Sequence, residues 1–123
     1  MSKVDCINIE VREDGHGGDG VFATVAIREG TLVERGIVRV VPIDGHECPH
    51  VFTWSEDRTI WAIGSGCSTF YNASSEPNTK MIRYFSENRF EIFALRDIAK
   101  GEMLTHVYKS LNWRKCFEPL RAE

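Results

Sequence analysis

The sequence predicts a mostly-β domain built from several short sheets. Three observations carry this. Apolar and β-branched residues come in runs of strand length rather than helix length. Clusters of Gly, Pro, Asn and Asp punctuate those runs. Few stretches suit a helix: a single turn at 64–69 and another near the C-terminus are the extent of it.

The elements follow in order. Residues 6–12 alternate apolar and polar after Cys6, the period of a half-buried strand. Residues 13–20 then hold four glycines in eight positions. Two readings stand: a flexible connection between strands, or a loop whose backbone must be approached closely. Val21–Ile27 is a second strand. Ile27-Arg28-Glu29-Gly30 turns the chain, Thr31–Glu34 resumes as strand, and Ile37–Ile43 is another, with Pro42 at an edge or an end. His50–Trp54 and Thr59–Ile63 flank a polar turn. Their Trp54 and Trp61 read first as core and second as channel lining. Thr79–Phe85 and Arg89–Leu95 form a hairpin about Ser86-Glu87-Asn88, with Arg83, Arg89, Glu91 and Arg96 facing solvent. Ile98-Ala99-Lys100-Gly101 repeats the earlier turn.

The stretch 64–78 organises the rest. Gly64 and Gly66 leave room for a neighbour, Asn72, Ser74 and Asn78 bond to nearby backbone, and Pro77 fixes an exit turn. Phe70 and Tyr71 in its middle predict a partly buried loop, a common setting for a site.

Composition narrows the function. Of 123 residues, 42% are hydrophobic and 27% charged, with no repeat, low-complexity tract or linker, so residues 1–123 read as one domain. A formal net charge of −3 without a basic stripe argues against direct nucleic-acid binding. Cys6, Cys48, Cys67 and Cys116 form no Cys-x-x-Cys clip, and the polar start Met1-Ser2-Lys3-Val4-Asp5 opens no signal peptide. Four free thiols in a reducing intracellular compartment, a soluble chain and no membrane span are the expectation. His46, Cys48 and His50 are spaced by two and suit zinc if they share a strand face. Gly45 and Pro49 break regular structure there, so a polar loop is the commoner explanation and no metal is expected.

Three segments, in order, carry a resemblance: Gly18-Asp19-Gly20-Val21-Phe22-Ala23, Tyr71-Asn72-Ala73-Ser74-Ser75-Glu76-Pro77-Asn78, and Gly101-Glu102-Met103-Leu104-Thr105-His106-Val107-Tyr108. Together they are similar to the motifs of SET-domain protein lysine methyltransferases, over about residues 7–113, in a compact form without the cysteine-rich C-terminal extension. The resemblance implies a SET-domain fold whose C-terminal segment threads through a loop as a pseudoknot. It implies S-adenosyl-L-methionine as cofactor and the lysine of a protein or peptide as substrate, a histone tail or another basic protein. It also implies a nuclear location in a eukaryote, and otherwise the cytoplasm or a host nucleus.

Residue roles follow from the same resemblance. Tyr108 falls at the catalytic tyrosine; its other reading is a strand-end Tyr with its ring in the core. Gly18, Asp19, Gly20, Asn72, Ala73 and Trp113 are the expected cofactor-binding residues, and Tyr71, Tyr108 and Phe117 line the substrate channel. Asn72 is otherwise a turn Asn, and Trp113 and Phe117 otherwise cap the core. Two departures stand out. Ala73 occupies the place where the family carries His, and only Cys116 lies beyond Tyr108 to build a zinc cluster. The channel is then closed by the short tail, by a partner chain such as a second copy in a homodimer, or by the substrate. The alternative to an enzyme is a SET-like module that binds peptides without catalysis.

Overall fold

A computed structural model of the chain describes residues 2–43, 51–57 and 59–106. Among them nine strands form: β1 (Ile9–Glu13), β2 (Asp19–Ala23), β3 (Leu32–Val41), β4 (Phe52–Thr53), β5 (Trp61–Gly64), β6 (Asn72–Ala73), β7 (Thr79–Tyr84), β8 (Arg89–Ala94) and β9 (Met103–His106). They make a four-stranded sheet in the order β1-β2-β9-β6 and a five-stranded sheet in the order β4-β5-β3-β8-β7. The expected architecture of several short strands is the observed one.

Local chemistry explains most boundaries. β1 and β2 pair as a hairpin, Ile9 opposite Ala23 and Glu13 opposite Asp19. The second strand therefore begins inside the glycine cluster, two residues earlier than the apolar run suggests. The two runs expected at 31–34 and 37–43 are one ten-residue strand, β3, passing straight through Gly36. A side chain at Gly36 would collide with the Phe90 ring and Ser65 Oγ, so glycine here admits a neighbour rather than a turn. The register against β8 shifts between Leu32 and Glu34. Such an irregularity breaks the inward–outward alternation. Consecutive Val33 and Glu34 are accordingly both buried.

The hairpin β7–β8 forms as expected, with its turn tightened into a 3-10 segment at Phe85–Glu87 and closed by Asn88 at φ 51°. Asn88 Oδ1 accepts a bond from the Trp54 indole at 3.0 Å, and the Trp54 ring meets Phe85 edge-on at 5.2 Å. Trp54 and Trp61 are core residues. Glu91 departs from its solvent-facing expectation. Only 18% of its side chain is exposed, and it accepts from Tyr84 Oη at 2.8 Å while facing Arg35 and Arg89, each at 3.8 Å. The single helical turn expected at 64–69 is instead a pair of three-residue-spaced turns, Ser68 N to Ser65 O and Phe70 N to Cys67 O.

The two like turns noticed in the sequence meet each other. Ile27 and Ile98 exchange backbone bonds of 2.8 Å, and Glu29 N donates to Asp97 Oδ1. Both isoleucines join Val21, Phe90, Ile92 and Leu104 in the core between the sheets. Full burial of side chains of this size contributes about 1.5–3 kcal/mol each. No helix among the described residues is long and apolar enough to cross a membrane.

Candidate functional site

The loop 65–71 delivers Asn72 to β6, and a buried carboxylate holds that loop. Glu34 is fully buried on β3. Its Oε2 accepts from Cys67 N at 2.9 Å and its Oε1 accepts from Tyr71 Oη at 2.9 Å. The two bonds grip the loop near its start and at its end. Gly66, at φ 60°, lies against the same carboxylate, and any side chain there would run into Glu34 Oε2. Burial pushes the Glu34 carboxyl up to about 7, against the opposing pull of Tyr71 and Cys67. Burial also pushes the Cys67 thiol up to about 12 and Tyr71 well above its ordinary value, with the Glu34 charge adding to both. Nothing in the sequence marks Glu34: between Val33 and Arg35 it looks like any solvent-facing strand position.

Asn72 meets the glycine-rich loop across a gap of more than fifty residues. Its Nδ2 lies 3.1 Å from Asp19 O, 3.4 Å from Asp14 Oδ2 and 3.5 Å from the Met103 sulfur. A Cβ on Gly20 would stand 3.0 Å from that same Nδ2, closer than ordinary contact. Asp14 in turn closes the loop by accepting from His16 N at 2.7 Å and Gly18 N at 3.2 Å. Those amides hold its carboxyl below the usual carboxylate range. Beside the loop is a cleft of about 410 Å³ lined by Glu13, Gly15, Gly17, Gly18 and Asp19. Its size falls within the roughly 300–1,000 Å³ of small-molecule sites. Its wall is glycine backbone and carboxylate, so it favours a ligand carrying positive charge.

The third segment lies alongside the second. β6 runs parallel to β9, Asn72 opposite Thr105 and Ala73 opposite His106. Asn78, buried, clamps the crossing: its Nδ2 donates to Met103 O at 2.9 Å and its Oδ1 accepts from Thr105 N at 2.7 Å. Thr79 Oγ1 adds a bond to Thr105 O at 2.7 Å, tying β7 of one sheet to β9 of the other.

Gly18, Asp19, Gly20, Asn72 and Ala73 are thus brought into one neighbourhood. Tyr71 stands behind them, buried, its hydroxyl engaged by Glu34 and its ring stacked on His106 at 5.5 Å. Burial and the nearby charge of Arg83 lower His106 to about 4, so it is neutral at ordinary pH. Tyr108, Trp113 and Phe117 lie outside the described residues, as do His46, Cys48, His50 and Cys116. Cys6 and Cys67 are free thiols, and no cluster of three metal-ligating side chains occurs among the described residues.

Comparison with known proteins places this geometry. The SET domain family model matches residues 18–109. None of the curated proteins matches the sequence. Among solved structures, a candidate histone methyltransferase of Plasmodium falciparum superposes with a TM-score of 0.65 at 18% identity, covering 82% of this chain and 96% of its own. A humanised mutant of Polycomb Repressive Complex 2 of Chaetomium thermophilum, bound to the inhibitor GSK126, superposes with a TM-score of 0.67 at 24% identity over 83% of this chain. This chain spans only 15% of that fungal chain. At these identities the likeness speaks to fold alone. With the family model covering most of the sequence, including both segments joined at Asn72, the chain belongs to the SET domain family.

Proposed function

We propose that residues 1–123 act as one domain that transfers a methyl group from S-adenosyl-L-methionine to a lysine side chain of a protein, a histone tail or another basic segment. One observation carries the reading most: Asn72 Nδ2 reaches the backbone of Asp19, joining the two motif segments at the rim of a glycine-lined, acidic cleft. The residues fit the cofactor. The cleft has the size, and its carboxylates suit a ligand with a sulfonium and an ammonium group.

When bound, S-adenosyl-L-methionine supplies an electrophilic methyl group. The chain's own part is orientation and electrostatics. Gly18, Asp19 and Gly20 would present backbone to the cofactor, with Asn72 and Ala73 beside them on β6. Ala73 serves in place of the family His through its backbone, which lies opposite His106 in the β6–β9 pair. Tyr108 places its hydroxyl and ring at the reacting centre. Phe117 would wall the channel with it, Tyr71 would back that wall from the core, where Glu34 holds its hydroxyl, and Trp113 would cover the adenine. An aromatic channel keeps water away and disfavours the charged amine, leaving the lysine neutral to attack. The substrate or a second copy of the chain closes that channel.

Calorimetry with S-adenosyl-L-methionine tests the cofactor half of the reading. The native chain is expected to bind, and Asn72→Ala to bind about tenfold more weakly, a loss of about 1.4 kcal/mol. No detectable binding by the native chain at millimolar cofactor would favour the non-catalytic peptide-binding module, the reading that Ala73 suggests. Mass spectrometry of mixed histones tests the other half. Tyr108→Phe is expected to lower turnover or change the number of methyl groups added. An unchanged rate and product profile would remove Tyr108 from the active centre.

A further inference from the structure

We infer that Glu34 is a positioning residue for the cofactor site, holding the loop 65–71 by both ends and so setting where Asn72 presents its side chain. This rests on the cofactor reading above. The geometry is direct. One carboxylate oxygen takes the Cys67 amide and the other takes the Tyr71 hydroxyl, each at 2.9 Å, and Asn72 is the next residue along. Gly66 folds around the carboxylate with no space for a side chain. At its far end Asn72 has acceptors at 3.1 and 3.4 Å on the glycine-rich loop, so a small shift at Tyr71 is felt at Asp19. A two-residue strand, β6, has little pairing of its own to fix that position.

Glu34 is also the point at which this arrangement answers to pH. Among the described residues, the titratable groups facing it are Tyr71, Cys67 and Cys6, and His106 stacks on the far side of Tyr71. On its own strand, Arg35 is directed to Glu91. The ionised carboxylate accepts from both donors. Once protonated, one of its oxygens becomes a hydroxyl, a weaker acceptor with a proton of its own to place, so the bond to Cys67 or Tyr71 on that oxygen weakens or, at Tyr71, reverses.

The experiment follows the Asn72 side-chain amide by two-dimensional NMR from pH 6 to 8.5 in the full chain, without cofactor. In the native chain those signals are expected to move with a midpoint near 7, the value to which burial carries Glu34. Glu34→Gln keeps the volume and removes the titration, so its Asn72 signals should stay fixed across the range. Tyr71→Phe, a gentler change, should move the midpoint upward, because the bond to Tyr71 holds the carboxyl down. S-adenosyl-L-methionine affinity measured at the same pH values should vary more steeply in the native chain than in Glu34→Gln, which should bind about tenfold more weakly and keep only the dependence of the ligand's own amino group. Asn72 signals that ignore pH in the native chain, or that titrate unchanged in Glu34→Gln, would overturn the inference. If Asn72 titrates as expected and the native chain binds no cofactor, the link from Glu34 to Asn72 stands and only the cofactor reading fails.

Discussion

Asn78→Asp is expected to destabilise the fold by about 3–5 kcal/mol near neutral pH, from removal of a buried donor and burial of an unpaired charge. Asn78 is only 1% exposed and uses both ends of its amide. Oδ1 accepts from Thr105 N at 2.7 Å, a bond that Asp retains. Nδ2 donates to Met103 O at 2.9 Å and to Glu102 Oε2 at 3.3 Å. Asp puts an acceptor against both, one of them a carboxylate that Arg96 already holds ionised below its usual range. The new group will take up a proton to escape this, so its folded-state affinity for protons rises above the unfolded value. Stability is then present at low pH and lost as pH rises. Urea unfolding at pH 5 and pH 8 should show the larger deficit at pH 8. Asn78→Ala leaves both Met103 O and Thr105 N unsatisfied without adding a charge, and should cost about 2–4 kcal/mol with little pH dependence. Equal losses for the two variants at both pH values would mean that the amide is not the clamp it looks to be. In the proposed reaction the consequence extends to the site, since Tyr108 follows two residues past His106 in the sequence.

Much of this arrangement was legible in the residues, and the illegible parts have physical causes. The glycine-flanked turns at Ile27 and Ile98 and the hairpin about Ser86–Asn88 are local signals, and each names its own element, whereas alternation at 6–12 names a strand that pairs only from Ile9 on and leaves Ile7 and Val11 exposed. Gly36 misleads because a glycine in an apolar run reads as a break, whereas its role is set by Phe90, more than fifty residues away. The strand β6 is two residues long and carries no periodicity at all. Its parallel partner lies more than thirty residues on, so only the motif resemblance hinted that the Asn72 and Gly101–Tyr108 segments meet. Glu34 was silent for a related reason. Its burial comes from the register shift beside Leu32, and period-2 reasoning assigns a charged residue following a buried valine to the solvent face.

The same buried carboxylate leads to the second large effect, a change in how stability follows pH. Glu34 titrates near 4.5 when unfolded and about 7 when folded. Between those values the folded chain binds the extra proton, so this group's contribution falls as pH rises, by about 1.4 kcal/mol per unit at most. His106 runs the other way. Its ordinary value of 6.5 drops to about 4 on folding, so the unfolded chain binds the extra proton and stability rises with pH over that interval. Between pH 4.5 and 6.5 the two slopes nearly cancel. The native chain should therefore show a shallow profile there in urea unfolding. Glu34→Gln should expose the His106 slope, gaining roughly 2 kcal/mol from pH 4.5 to 6.5. His106→Phe, which keeps a ring against Tyr71, should expose the opposite slope and lose about as much over the same range. Parallel profiles for all three chains would show that neither group is held in the protonation state that its burial demands.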